Sequence, residues 1–227
     1  MPHDAIITRA NLKTPKAAAV AGILFSVLVI AIFWLLRAAI PADPLEAGAW
    51  LTADRGQVAL ALNLMPLAGV SFLWFIGVLR DRLGAREDRF FATVFLGSAL
   101  LFLSTVFAAA AVIGAILITF TEQPTEILNS ATLHIARALA YNLINVYAIK
   151  MACVFMISTS TVAISTGLAP RWIALLGYVL ALVLLLGSYL QTWSFLVMPL
   201  WVLLLSSYIL VDNFRAGDAT VAPGAGG

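Results

Sequence analysis

The stretch FFATVFLGSALLFLSTVFAAAAVIGAILITF, Phe90–Phe120, carries no charged side chain along its whole length. Crossing a hydrocarbon core of roughly 30 Å takes about 20 residues of helix, so this run is more than long enough. In lipid every backbone N–H and C=O must be satisfied within the segment, which selects the helix, and the period-two alternation of a barrel strand is absent. Working outward, comparable runs precede it at Ala17–Ile40 and Gln57–Leu79. Others follow at Leu139–Thr166, Trp172–Leu190 and Ser194–Val211. The composition agrees: 63% of the 227 residues are hydrophobic and 11% charged, whereas soluble domains hold about 45–50% apolar and about 25% charged residues. The fold class read here is all-α, a polytopic membrane bundle of six transmembrane helices.

Basic residues set the orientation. With the N-terminus inside, the inner side collects Arg9, Lys13, Lys16, Arg80, Arg82, Arg86, Arg89, Arg171 and Arg215, against Arg37, Arg55 and Arg137 outside, while Lys150 falls within the fourth span. That excess predicts both termini in the cytoplasm. The first run is about twice as long as a signal-peptide core and lacks a small-residue cleavage site, so it reads as a retained helix. Residues 1–16 form a cytoplasmic lead, 17–213 one membrane domain and 214–227 a flexible cytoplasmic tail. A net charge of +2 gives no reason to expect nucleic acid. The single cysteine, Cys153, excludes an intrachain disulfide.

The connections differ in character. Gly187–Trp193 is tight and predicts a hairpin of the last two helices. Pro41–Gly56 and Thr121–Ala138 are longer, carry Asp43, Glu46, Asp54, Glu122 and Glu126, and have room for short interfacial helices, with a helix start at Pro124-Thr125-Glu126. In the third span Gly97, Ser98, Ala99, Ala108–Ala111 and Gly114 predict close helix packing. Pro66 and Pro199 predict kinks in spans two and six.

The fourth span holds the polar residues. At 100° per residue His134, Arg137, Tyr141 and Asn145 share one face, Asn142 lies at its edge and Lys150 points nearly opposite. Polar side chains at such depth face the bundle or a wet cavity. For His134 and Arg137 the competing explanation is snorkelling at the boundary. For Asn142 and Asn145 it is interhelical hydrogen bonding, with Asn63 of span two as partner. Lys150 has no carboxylate at comparable depth, so it lies neutral in a dry site, reaches a lumen, binds an anionic group or snorkels.

What is missing narrows the function. Two histidines, His3 and His134, are too few for a membrane dihaem, and there is no HExxH, P-loop or Gly-x-Ser-x-Gly. The spans lack the acids through which proton- or sodium-coupled carriers relay ions. No cofactor or metal site is expected.

The block Phe72-Leu-Trp-Phe-Ile-Gly-Val-Leu-Arg-Asp-Arg-Leu-Gly84, continued by Arg86-Glu-Asp-Arg-Phe-Phe-Ala-Thr-Val-Phe-Leu-Gly-Ser98, resembles uncharacterised bacterial multipass inner-membrane proteins. The Pro170-Arg-Trp turn extends the likeness more weakly. The resemblance implies a bacterial inner-membrane setting and brings no activity, cofactor or catalytic residue.

The expectation is therefore a non-enzymatic accessory or small-ligand or lipid-binding membrane protein. Helices two and four frame a polar seam of Asn63, Tyr141, Asn142, Asn145 and Lys150, with His134 and Arg137 above it. A lipid headgroup, small anion or partner membrane subunit would satisfy that seam. The alternatives are a small transporter or channel using the seam as a path, and a membrane enzyme acting on lipid at the outer surface with His134 as acid or base.

Overall fold

A computed structural model of the protein describes residues 4–41, 50–83, 89–122, 130–187 and 193–221, with side chains described at 17–41, 50–80, 92–122, 130–187 and 193–214. Asp43, Glu46, Glu126 and the helix start at Pro124 lie outside the described residues, as do the last six residues and the side chains of Arg82, Arg86 and Arg89.

The described elements are helical throughout: α1 (Asp4–Ala39), α2 (Trp50–Ala53), α3 (Arg55–Leu83), α4 (Arg89–Glu122), α5 (Ala131–Asn142), a π-helical segment (Leu143–Ala148), α6 (Ile149–Thr166), α7 (Arg171–Gly187) and α8 (Ser194–Val221). Five stretches are long and apolar enough to cross a membrane, with α5, the π segment and α6 forming one of them. The sixth, α7, has 17 residues and at 1.5 Å per residue rises about 25 Å. It is the shortest of the six apolar stretches. The chain is a helical membrane bundle.

Three boundaries differ from the sequence reading. The first helix begins at Asp4, inside the polar lead, and α8 runs on to Val221. The fourth span begins at Ala131 instead of Leu139, because Ser130 caps it: the Leu133 amide donates to Ser130 Oγ at 3.2 Å. That cap satisfies one of the free amides of the first turn. His134 and Arg137 lower the hydropathy of these residues without breaking the helix. The first long connection contains one turn, α2, whose Trp50 and Leu51 are buried. This turn packs inward, with Val58, Ile116, Phe120 and Leu133.

In the bundle α1 packs along α3 on one side and α8 on the other, while α6 packs on α7 and α4, and α4 also holds α5 and the π segment. Lipid is as apolar as leucine, so these contacts rest on close packing and not on a hydrophobic drive. Phe72 of α3 is the hub. Its ring lies 4.6 Å from Phe25 of α1, 5.5 Å from Phe102 of α4 and 5.2 Å from Phe155 of α6. Aromatic pairs at such spacings contribute about 0.5–1.5 kcal/mol each beyond area burial.

Small residues permit the closest approaches, though not where the sequence suggested. Gly97 has nothing within 4 Å of where a Cβ would stand, and at Gly114 the nearest atom is Leu62 Cδ1 at 3.9 Å. The tight contacts are at Gly22, against Ser206 and Phe75, at Gly69, against Phe107 and Leu103 of α4, and at Gly177, against Ser160 and Trp201. Gly97 and Gly114 look like packing residues by spacing, but their faces of α4 meet no close neighbour among the described residues. Ser98, Ala99 and Ala109 are buried, so the small-residue stripe is turned inward by those positions instead. Gly167 closes α6 in the left-handed conformation (φ 66°), which glycine adopts without the Cβ clash other residues meet.

Candidate functional site: a cationic apolar cavity

A cavity of about 260 Å³ lies among α1, α3, α4, the fourth span and α8. Apart from Arg37, Arg137, Tyr141 and Asn145 its lining is apolar, drawn from residues such as Leu36, Leu62, Ile113 and Phe195. No carboxylate occurs among these described lining residues.

Each polar side chain arrives there for a local reason. Arg37 lies in the last turn of α1, where a cation is favoured by the unpaired carbonyls and negative pole of the helix end. Arg137 comes from the second turn of α5 and is only 4% exposed. Its Nη2 donates to the carbonyl oxygen of Pro41 at 3.3 Å, just beyond the end of α1. Both arginines thus line the cavity, Arg137 by way of the carbonyl just beyond the end of α1. Tyr141 is 46% exposed and, among the described lining residues, marks the mouth. Asn145 Nδ2 donates to the Tyr141 carbonyl at 3.0 Å.

The π segment shapes this wall. Ile144 and Asn145 line the cavity from within it. Its hydrogen bonds close wider turns than an α-helix, and single π turns recur where a helix is re-aimed at a site. The 100° periodicity therefore holds through Tyr141 and is interrupted at Leu143.

Among the residues expected to form a polar seam, the structure brings Arg137, Tyr141 and Asn145 together on the cavity and leaves four elsewhere. Asn63 is exposed on α3, with no described hydrogen bond to the fourth span. Asn142 is exposed and donates back to the Ala138 carbonyl at 3.0 Å. His134 is partly buried off the cavity, and its Nδ1 is enclosed without a hydrogen-bond partner. Lys150 is remote: its Nζ donates to the Leu185 carbonyl in the last turn of α7. Arg37 was counted in the sequence only toward orientation. Its signal was its place inside the first apolar run, three residues short of the end of that run.

Next to the cavity, among the described residues, the lining is hydrocarbon. A void of about 20 Å³ shares Ile32, Met65 and Phe195 with the cavity and is otherwise lined by residues such as Phe25, Phe102 and Val106. Beneath it lie the rings around Phe72. The hydroxyls of Ser158 and Thr161 are occupied by carbonyls one turn back, at 2.9 and 3.0 Å, and those of Thr159 and Ser160 are buried between helices.

No protein-family model, no curated protein and no solved structure matches the chain. The fold and the cavity together define a multipass helical membrane protein with a cationic pocket at one end of the bundle.

Proposed function

We propose that the protein binds a small ligand or lipid in the cavity between Arg37, Arg137, Tyr141 and Asn145, and that it does so as a non-enzymatic membrane protein with both termini in the cytoplasm of a bacterial cell. The observation that carries this reading is a concave, largely apolar pocket with a few convergent polar groups, the general form of a small-ligand site. The inside excess of basic residues supports the orientation.

A path through the membrane is favoured less. A transporter or channel needs polar groups leading to both ends, and the cavity is floored by Phe25, Phe102 and Phe195. An enzyme using His134 is also favoured less, since that side chain stands apart from the cavity wall.

Native mass spectrometry of the protein released from its own membranes without harsh delipidation tests the proposal. A stoichiometric bound molecule on the unaltered chain, absent from an Ala110→Phe variant whose new ring occupies the cavity, supports it. A molecule retained equally by both proteins, or a bare chain in both, overturns it.

A further inference from the structure

From Ile127 to Val211 the chain holds no carboxylate, and its only lysine and arginine residues are Arg137, Lys150 and Arg171. Of these three, Lys150 lies far from both ends of the apolar stretch that carries it. We infer that Lys150 seats the phosphate of a phospholipid, drawn below the ordinary headgroup level at the far end of α7. The site is separate from the cavity, whose lining does not include Lys150.

The length of α7 sets the depth. Arg171 and Trp172 are exposed at its start, a basic and an aromatic side chain of the kind that anchors helix ends at an interface. Leu185 lies fourteen residues on, about 21 Å at 1.5 Å per residue. That is roughly 9 Å short of crossing a core of about 30 Å. The fourth span gives a similar height, since Lys150 is sixteen residues from Thr166, about 24 Å.

A bilayer meets an apolar segment that is too short by thinning down to its end. Trp193, at the start of α8, agrees with such a dip. Its ring stands edge to face with Trp34 at 5.5 Å, and the two are 49% and 53% exposed, as tryptophans at headgroup level are. By contrast, the uncharged run Phe90–Phe120 of α4 would rise about 45 Å. Helices α4 and α7 both pack on α6, so the headgroup level steps down from one to the other.

Lys150 meets the lowered headgroups at that step. Its ammonium carries three N–H donors and no acceptor, and its described partner is a neutral one, the Leu185 carbonyl. Tyr147, one turn farther from the Arg171 end, is 60% exposed and supplies an O–H donor. The neighbouring surface of α7 is hydrocarbon, with Leu182, Val183 and Leu186 exposed. A bare anion would lose its water against that surface, which is costly. A phospholipid lays its acyl chains along the same surface and delivers one negative phosphate to the ammonium.

The test is native mass spectrometry of the purified full chain in mild detergent, titrated with dioleoylphosphatidylglycerol, dioleoylglycerol and inorganic phosphate. The phospholipid should bind tighter than either of the others by about tenfold or more, the ratio one charge-assisted hydrogen bond supplies. Lys150→Gln, which keeps an N–H for the Leu185 carbonyl and removes the charge, should abolish that preference. Lys150→Arg should retain it. Ala110→Phe, which fills the cavity, should leave it unchanged. Equal binding of the two lipids overturns the role of the phosphate, and inorganic phosphate binding as tightly as the phospholipid overturns the role of the chains. A preference that survives in Lys150→Gln, or that disappears in Ala110→Phe, overturns the location. Loss of the cavity's own occupant in Ala110→Phe bears on the cavity alone, so the two readings fail separately. The probe series on the unaltered chain decides the ligand class even where a Lys150 variant fails to fold.

Discussion

Lys150 donates its ammonium group to the carbonyl oxygen of Leu185, thirty-five positions along the chain. Leu185 lies in the last turn of α7, a helix of 17 residues. The final carbonyls of any helix lack intrahelical donors, and a cation beside them is favoured by the helix dipole. Lys150 therefore supplies from α6 what the end of α7 cannot supply itself.

Replacing that lysine tests the relationship. Lys150→Met should lower stability by about 1 kcal/mol, in the range of single interhelical hydrogen bonds in membranes, a fall in Tm of about 2–4 °C for a chain of this size. Binding to the cavity should be unchanged, since Lys150 does not line it. Thermal unfolding in detergent alongside native mass spectrometry of the cavity's occupant checks both parts. A variant with unaltered Tm and a weaker hold on that occupant would reverse the assignment.

Gly177 permits a contact that a methyl group would destroy. A Cβ there would meet Trp201 Cζ2 at 2.6 Å. Trp201 is fixed by burial and by its Nε1–H donating to the Ile173 carbonyl at 3.1 Å, so the ring cannot turn aside freely. Gly177→Ala should cost about 1–3 kcal/mol, as overpacking does. Gly97→Ala, with open space around it, should instead be neutral or slightly stabilising, because alanine is favoured over glycine in helices by about 1 kcal/mol. Paired Tm measurements decide it, and equal losses at both positions would refute the packing described.

Orientation is open to a labelling experiment that needs little engineering. The native Cys153 is buried at 0% exposure, so it should be silent to a membrane-impermeant maleimide. Gln57→Cys and Arg171→Cys introduce exposed thiols at opposite ends of the bundle. With both termini inside, the former should label in intact cells and the latter only after permeabilisation. The reverse pattern would invert the topology.

How far the sequence could be read depends on which physical signal each feature leaves. The six apolar runs are legible because lipid demands long uncharged helices. The shared face of Arg137 and Tyr141 followed from helical spacing, while Asn145 and Lys150 lie within and beyond the π segment, where a count at 100° per residue no longer applies. The partner of Lys150 was not legible, since a main-chain carbonyl has no residue type to search for. Arg37 escaped notice because a basic residue at the end of a span also serves orientation, and only the cavity that both side chains line joins it to Arg137. The π segment left no mark in Leu-Ile-Asn-Val-Tyr-Ala. The predicted pairing of Asn63 with the fourth span did not form because each asparagine of that span donates to a carbonyl one turn back on its own helix.

The paired rings of Trp34 and Trp193 have one more consequence. If they mark the interface, as exposed tryptophans of a membrane protein do, the mouth beside Tyr141 opens within a leaflet, and the ligand proposed for the cavity would diffuse to it in two dimensions. Its occupancy then follows mole fraction among the surrounding lipids and not its trace concentration in water. An affinity that would look poor in a test tube can keep such a pocket filled, and a shift in leaflet composition can empty it.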